Sequence, residues 1–220
     1  ALNDLSRPDP LRVNFNDAAG KDSVEGTHLF IAAGRAPNAG TLNLVNAGVD
    51  TDSRGFIQVN DRLETKAAEI WALGDVTGSP SFANLSFDDY RIVSDNLFGA
   101  GTKSRKGRLF STVLRTDPSL GSVGLRESDL KGNEPYRILK KNAGNLQFAR
   151  DEGGTRGFMK AIIEEKSGLL LGFGMLGPSA GELTGAAHLA IMGGLSAQDL
   201  KQGLYSLPGA MEVFNELFSL

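Results

Sequence analysis

The sequence predicts a mixed chain: an α/β region followed by an α+β region with an antiparallel sheet. A short apolar run at residues 70–73 is followed at once by Gly74-Asp75, which is typical of a buried strand that ends in a turn. Further along, residues 158–164 and 169–176 flank a glycine-containing turn, a pattern that predicts a hairpin. Several strands precede the last helices, and this order favours an α+β arrangement for the second region.

Composition sets the broad class. The chain has 220 residues, of which 40% are hydrophobic and 22% charged, as in an ordinary globular protein of one large or two small domains. A net charge of −3 is too small to indicate a nucleic-acid partner or an acidic target. No apolar run is long enough for a membrane span, and the first residues lack the pattern of a signal peptide. We therefore expect a cytoplasmic protein that binds neither nucleic acid nor membrane.

The absence of cysteine removes several kinds of chemistry. These 220 residues contain no cysteine, which excludes a disulfide framework, a thiolate nucleophile and a cysteine-based metal site within them. Only two histidines are present, so a His-rich metal site is not expected either. His28 is expected simply to fill a strand position. No metal site is therefore predicted.

The first region is expected to contain short strands, one helical turn stopped by Gly48, and one long helix ended by Gly99 and Gly101. A small basic segment then predicts a domain boundary, giving residues 1–104 and 105–220. That segment is either a solvated linker or a stretch whose Lys and Arg side chains attract a nucleotide phosphate. The predicted strands are 11–15, 24–33, 55–60 and 70–73; the helical turn is 42–47, the helix 83–99, and the basic segment 100–108.

The second region is expected to alternate short strands and turns before it ends in helices. Ser179 with Glu182 predicts a capping box, and Ser196 with Asp199 marks another helix start. The predicted strands are 110–114, 122–123, 136–141, 158–164 and 169–176, and the predicted helices are 127–131, one from Ser179 to a Gly193-Gly194 stop, one from Ser196, and 210–218.

Two side chains are candidates for ligand binding on their position alone. Asp75 follows the predicted strand at residues 70–73, and ligands bind at the carboxyl ends of strands in open α/β sheets. A carboxylate there suits a ribose or polyol hydroxyl, and the alternative is that Asp75 caps the following turn. Arg35, in a loop after the strand at 24–33, has the donors to hold a phosphate, and a surface salt bridge explains it equally well.

Four motifs in order resemble one known family. The segments are LFIAAGRAPN at 29–38, TKAAEIWALGD at 65–75, Thr116-Asp117-Pro118 followed by VGLRE at 123–127, and GFMKAIIEEKSGLLLGFGMLG at 157–177. Together they are similar to the carboxyl-terminal half of the FAD-dependent pyridine nucleotide–disulfide oxidoreductases. The resemblance covers essentially the whole chain. It implies a partial FAD/NAD(P)-binding Rossmann-type region followed by an interface (dimerisation) domain. Residues 82–97 and 215–220 resemble the mercuric-reductase-like branch, whose members act on reactive oxidants or metal ions.

The resemblance assigns roles to particular residues. The Asp of the family's Gly-Asp pair bonds the ribityl chain of FAD, which places Asp75, with Gly74, at the cofactor. The start of the next helix lies under the flavin ring, which implies the backbone of Ala83-Asn84-Leu85. Gly34 and Arg35 fall where the nicotinamide domain returns to the FAD domain. The last domain of the family forms a two-fold interface, so a homodimer is expected.

Two departures from the family pattern qualify these expectations. The glycine fingerprint for the FAD pyrophosphate, the redox cysteine pair and the second glycine motif for NAD(P) are not found in these residues, so the chain is expected to be a fragment. The family's terminal acid/base His corresponds to Leu207, which cannot move a proton. Glu212 follows as either a vestige of the His–Glu pair or a cap of the last helix. We expect no catalytic residue in this chain.

The resulting functional expectation is a piece of an FAD-dependent NAD(P)H oxidoreductase. The intact protein would pass electrons from nicotinamide through flavin to a disulfide, a metal ion or another acceptor. The chain alone is expected to be inactive and to bind no FAD tightly. Two alternatives remain: a stand-alone oligomerisation module, and a diaphorase-like flavoprotein without disulfide reductase activity, which Leu207 favours over a thiol reductase.

Overall fold

The chain forms two compact units in the computed structural model, which describes residues 10–18, 20–130, 132 and 135–219. The first unit comprises residues 1–37 and the second residues 38–220. Within the second unit two separate hydrophobic clusters lie on either side of residue 104. The domain boundary predicted there stays a prediction.

A two-stranded antiparallel hairpin is the regular structure in the described part of the first unit. Its strands are β1 (Leu11–Asp17) and β2 (Gly20–Gly26), which pair along their whole length. The predicted strand at 24–33 is wrong beyond the end of β2, because residues 27–33 have no regular structure and Phe30 is 91% exposed. A strand exists only where a neighbour takes its hydrogen bonds. No described segment pairs with residues 27–33.

Residues 38–82 are held by turns rather than by a sheet. A 3-10 helix at Leu44–Ala47 ends at Gly48 in the left-handed conformation, φ 71°, and this confirms the predicted helical turn and its stop. The small core here consists of short or β-branched side chains that pack with partly buried neighbours. Its buried members are Ala39, Val49, Ile57 and Ala72.

The two strands predicted in this stretch are wrong. The segment at 55–60 contributes only an isolated bridge between Thr51 and Ile57, and the run at 70–73 only one between Glu64 and Trp71. The run is also less buried than a strand core, since Ala72 is buried but Leu73 is 40% exposed. Each bridge closes a local turn, so apolar residues reach the small core without a continuous ladder.

One long helix follows, as predicted. Helix α1 spans Ala83–Phe98, and its buried face consists of Leu85, Asp89 and Ile92. The backbone leaves the helix at Gly99, whose amide donates to the Asp95 carbonyl at 2.9 Å. This confirms Gly99 as its end.

A five-stranded antiparallel sheet organises the second region, as predicted. Every neighbouring pair in it is antiparallel. The spatial order β3-β4-β7-β6-β5 places β3 and β5 at the two edges. The strands are β3 (Ser111–Leu114), β4 (Leu120–Gly124), β5 (Tyr136–Asn142), β6 (Phe158–Glu164) and β7 (Leu170–Leu176).

Four helices accompany the sheet, and α3 packs against β3, β4 and β7. They are α2 (Gln147–Asp151), α3 (Ala180–Met192), α4 (Ala197–Gln202) and α5 (Glu212–Leu217). At the centre of the large core, Phe214 of α5 meets Phe173 of β7 edge to face, with ring centroids 5.6 Å apart. The mixed α/β class with an antiparallel sheet is confirmed.

The helix starts are only partly as predicted. Ser196 caps α4, since its hydroxyl accepts from the Asp199 amide at 3.1 Å and Asp199 bonds back in a capping box. The capping box predicted at Ser179 is wrong, because Ser179 is in the left-handed conformation, φ 51°, with no side-chain cap. The short helix predicted at 127–131 is a 3-10 helix at Glu127–Asp129, and Lys131 lies outside the described residues.

Pattern reasoning missed α2, which has only five residues. The last helix also begins later than predicted, at Glu212 rather than 210. Across the described part of the chain, helices lack the length and apolar character needed to cross a membrane.

Candidate functional site

The turn at Gly74 has a geometry that only glycine adopts without strain. Gly74 is buried in the left-handed region, φ 75°, and begins a 3-10 helix at Gly74–Thr77. A Cβ atom at this position would lie 3.2 Å from the Ser86 hydroxyl of α1. The Thr77 hydroxyl closes the turn by donating to the Gly74 carbonyl at 2.9 Å. The chain therefore passes close under α1 at this point.

Asp75 sits in the first turn of that short helix. It is partly buried, and its carbonyl accepts from the Gly78 amide at 3.1 Å. The N-cap positions of this helix and of α1 are Leu73 and Phe82, so Asp75 occupies neither capping position. The capping of the following turn by Asp75 and its role as a cofactor ligand both stay predictions.

The three residues predicted to lie under a flavin ring open α1. Ala83 and Asn84 are exposed, and Leu85 anchors the helix with 2% exposure. The Asn84 amide group donates to the Ser111 carbonyl at 2.8 Å, which fixes the helix start against β3. Phe82, the N-cap residue of α1, has no polar group in its side chain. The first backbone amides of α1 therefore receive no side-chain hydrogen bond from the N-cap. The Leu85 amide instead donates to the Phe82 carbonyl at 3.0 Å, and the exposed Ala83 and Asn84 stand at the positive end of the helix dipole.

Asp89 is the polar residue of this site that sequence reasoning missed. It is 0% exposed, and one carboxylate oxygen accepts from the Gly74 amide at 2.9 Å. The other oxygen accepts from Arg108 at 2.6 Å. A signal existed in the sequence, since Asp89 stands between Leu85 and Ile92 at helical spacing on the buried face. A carboxylate at an apolar position of a helix indicates a buried partner.

Other carboxylates in this region hold loops in place. The backbone amide of Phe56 lowers the pKa of Asp52 below its ordinary 3.8 by hydrogen bonding to the carboxylate, and Arg54 adds to the effect. The backbone amides of Thr102 and Lys103 do the same for the pKa of Asp95. These two sites shape turns around the candidate site.

A cavity of about 390 Å³ lies beside the start of α1, between residues 80–82 and the sheet. Phe82, Phe110 and Phe158 contribute aromatic rings to it, and Lys160 contributes a cation. Lys160 also pairs with Glu127, so its charge is already compensated.

The remaining predicted residues lie elsewhere. Gly34 (φ 101°) and Arg35 are exposed in the first unit, and the structure does not test their predicted role. Leu207 is 71% exposed, before α5. Glu212 is the first residue of α5, where a carboxylate is favourable near the positive end of the helix dipole. The N-cap is Met211 and no side chain caps this helix, so the two alternatives for Glu212, a vestige or a cap, both stay predictions.

Both histidines lie in the described part of the chain. His28 is exposed with its ring 2.9 Å from the Thr27 hydroxyl, and His188 lies partly buried in α3. The predicted strand position of His28 is wrong, because β2 ends at Gly26. Among the described residues, no group of three or more His, Cys, Asp or Glu side chains could hold a metal ion.

Comparison with known proteins assigns both parts of the chain to the same family. Residues 8–89 match "Pyridine nucleotide-disulphide oxidoreductase", and residues 110–218 match "Pyridine nucleotide-disulphide oxidoreductase, dimerisation domain". The two matches together span most of the sequence.

Curated relatives give the same result. The chain is 36% identical over 196 residues to the probable pyridine nucleotide-disulfide oxidoreductase RclA of Escherichia coli K12, covering 87% of this chain and 44% of the relative. It is 32% identical to the dihydrolipoyl dehydrogenase of Thermus scotoductus, covering 94% and 45% of the two chains. It is also 32% identical to a mercuric reductase of Staphylococcus aureus, covering 80% and 32%. The chain thus spans less than half the length of these relatives.

The fold agrees as well. The solved structure of the HOCl-induced flavoprotein disulfide reductase RclA from Escherichia coli superposes with a TM-score of 0.85 at 33% identity, covering 90% of this chain and 46% of that one. With two family matches in chain order and relatives of the same class, the chain belongs to the pyridine nucleotide–disulphide oxidoreductase family.

Proposed function

We propose that this chain is the carboxyl-terminal half of an FAD-dependent NAD(P)H oxidoreductase that passes electrons from nicotinamide through flavin to a disulfide, a metal ion or another acceptor. In this proposal residues 1–104 are the remainder of the cofactor-binding region and residues 105–220 form the dimerisation domain. The observation that carries the proposal is the tight turn at Gly74-Asp75, which leads into the uncapped start of α1 in a member of this family.

The residues present fit a flavin nucleotide. The left-handed turn at Gly74 brings the chain close to α1, and Asp75 directly after it places a carboxylate that can accept hydrogen bonds from ribityl hydroxyls. The positive end of α1, at Ala83, Asn84 and Leu85, would face the ring and stabilise negative charge on it through the helix dipole. Bound FAD supplies the electron exchange, while these groups bind it and orient it. Gly34 and Arg35, in the first unit, are proposed to mark the point where the chain returns from the nicotinamide domain to the FAD domain.

Two properties are proposed for the chain taken alone. It binds no FAD tightly and shows no turnover, because these 220 residues contain neither a glycine fingerprint for the pyrophosphate nor a cysteine. Relatives in this family include a dihydrolipoyl dehydrogenase and a mercuric reductase. The electron acceptor of this protein is proposed to need no acid/base histidine from this segment, because Leu207 occupies that position.

The protein is further proposed to act as a homodimer through the second region. Support comes from the match of residues 110–218 to a dimerisation domain. Several large apolar side chains there are also exposed, an arrangement typical of an interaction surface. They are Leu189, Met192, Leu204 and Leu207.

The test compares the 220-residue chain with a longer protein that contains it together with a glycine fingerprint. FAD is added to both, and the bound flavin is measured by absorbance after gel filtration. We expect stoichiometric flavin in the longer protein, an Asp75→Ala variant of it with at least about tenfold weaker binding, and no stoichiometric flavin in the short chain. Stoichiometric flavin in the short chain, or an unchanged Asp75→Ala variant, would contradict the proposal. Sedimentation mass tests the dimer separately.

A further inference from the structure

The buried carboxylate of Asp89 joins three parts of the second unit. It lies on the inner face of α1, and its two oxygens point to different partners. One bonds the Gly74 amide at 2.9 Å and the other bonds Arg108 at 2.6 Å. Arg108 belongs to the segment that leads into β3, and its side chain is only 13% exposed. The turn, the helix and the entry to the sheet therefore meet at one side chain.

We propose that Asp89 is the positioning residue of the Gly74–Asp75 turn, with Arg108 as the cation that holds the Asp89 carboxylate in its orientation. This inference rests on the proposed function, since it concerns the turn that is to hold the flavin nucleotide. It adds Asp89 and Arg108 to the proposed site. These two side chains touch neither cofactor nor substrate, and they act by holding the turn in place.

The burial and hydrogen bonding of the Asp89 carboxylate favour a role in orienting the turn. A buried carboxylate is costly unless it is paired and hydrogen-bonded, and Asp89 is both. A hydrogen bond from a backbone amide to a charged oxygen is stronger and more directional than one between neutral groups. The bond is to the amide of Gly74, so it fixes the Leu73–Gly74 peptide plane. The next plane, between Gly74 and Asp75, is held by the Thr77 hydroxyl, which donates to the Gly74 carbonyl at 2.9 Å. With both planes held, the direction in which the Asp75 side chain leaves the backbone is set.

Asp88 provides a matched control next to Asp89 in the sequence. Its carboxylate also approaches Arg108, at 3.2 Å, but it is 38% exposed and makes no bond to Gly74. Neutralising Asp88 thus weakens an ion pair with the same arginine without touching the turn. If Asp89 acted only by its charge on Arg108, the two neutral variants would behave alike.

The first arm of the test needs no flavin. Hydrogen exchange of the Gly74 amide is measured in the 220-residue chain for wild type, Asp89→Ala, Asp89→Asn, Asp88→Asn and Arg108→Lys. We expect exchange at Gly74 to accelerate at least about tenfold in Asp89→Ala. Asp89→Asn should show a smaller increase, because one oxygen remains. Arg108→Lys keeps the charge and should lie close to wild type, as should Asp88→Asn.

A destabilised variant elsewhere separates positioning from general loosening. Leu183→Ala removes a side chain that is 1% exposed in α3, far from the turn in sequence, and should lower the melting temperature without selective exchange at Gly74. The positioning role is overturned if Asp88→Asn or Leu183→Ala accelerates Gly74 as much as Asp89→Ala does, or if Asp89→Ala leaves Gly74 unchanged. If Asp89→Ala fails to fold, Asp89→Asn and the 15N chemical shift of Gly74 decide the same question.

The second arm measures FAD in the longer protein. Asp89→Asn is expected to weaken FAD binding about tenfold and to shift the visible circular dichroism of the flavin, with Asp88→Asn unchanged. If wild type binds no FAD while Gly74 exchange still depends on Asp89, the proposed function fails and the positioning role stands. If wild type binds FAD and Asp89→Asn neither weakens it nor shifts the spectrum, the link between Asp89 and the cofactor is wrong.

Discussion

The two regions of the second unit are stabilised in different ways. Residues 105–220 bury a large core between a five-stranded sheet and its helices, whereas residues 38–104 bury a small one under turns and isolated bridges. In the larger region non-directional apolar burial dominates. In the smaller region, individual glycines and carboxylates determine the path of the backbone. The residues proposed to bind a cofactor, Gly74 and Asp75, lie in this smaller region.

The largest expected effect is in the large core. Phe214 is 0% exposed and contacts Phe173, so Phe214→Ala should lower the free energy of unfolding by about 3–5 kcal/mol. Phe87, on the outer face of α1, is 68% exposed, and Phe87→Ala should change it by no more than about 0.5 kcal/mol. Urea denaturation measures both. Similar losses for the two variants would show that the core is not where stability resides.

A pair of glycines tests the smaller region. Gly74→Ala places a side chain at φ 75° and close to Ser86, and should cost about 1–2 kcal/mol. Gly185 in α3 is exposed, and an added Cβ atom there meets nothing within 4 Å. Gly185→Ala should therefore stabilise the protein by about 0.5–1 kcal/mol through helix propensity. Urea denaturation measures the change in the free energy of unfolding for each variant. An unchanged value for Gly74→Ala would mean that the turn has room to adjust.

The smallest expected effect depends on pH. Hydrogen bonds from Thr102 and Lys103 lower the pKa of Asp95 in the folded protein below 3.8. A lowered pKa stabilises the fold above the unfolded value of about 3.8, and this stabilisation is lost as the pH falls through the folded pKa. Asp95→Asn should thus be less stable than wild type at pH 7, with the gap closing below about pH 3.8.

The charge control for this experiment is Glu152→Gln, which neutralises an exposed carboxylate at the end of α2. Thermal melts between pH 2 and pH 7 compare the three proteins. A gap for Asp95→Asn that stays constant over this range would show that the carboxylate charge is not what holds the loop after α1.

Sequence patterns predicted the strands of residues 105–220 better than those of residues 38–104. The success and the failure have the same physical reason. In β6 and β7 apolar residues recur over a full strand, and the hairpin was predictable because periodicity follows burial. The run at 70–73 is apolar too, but a strand depends on a partner that no local pattern specifies. The role of Asp89 was not predicted because its partners, Gly74 and Arg108, are 15 and 19 residues away in the sequence.

The helix caps show the same limit at a smaller scale. Ser179 and Ser196 each precede an acidic residue by three positions, yet only Ser196 caps its helix. The difference is the backbone conformation, since Ser179 has φ 51° and Ser196 has φ −84°. A Ser followed three residues later by an acidic residue predicts a capping hydrogen bond only where the chain enters the helix from an extended conformation.

The two edges of the sheet bear on aggregation. Strand β3 has only four residues, and strand β5 carries Arg137, Lys140 and Lys141. Lys141 is further tied to Glu216 of α5 by a 2.8 Å ion pair. Short edges and edge lysines discourage open-ended growth by strand addition. Copies of this chain that assemble should therefore meet through helices and loops, and form closed complexes rather than fibres.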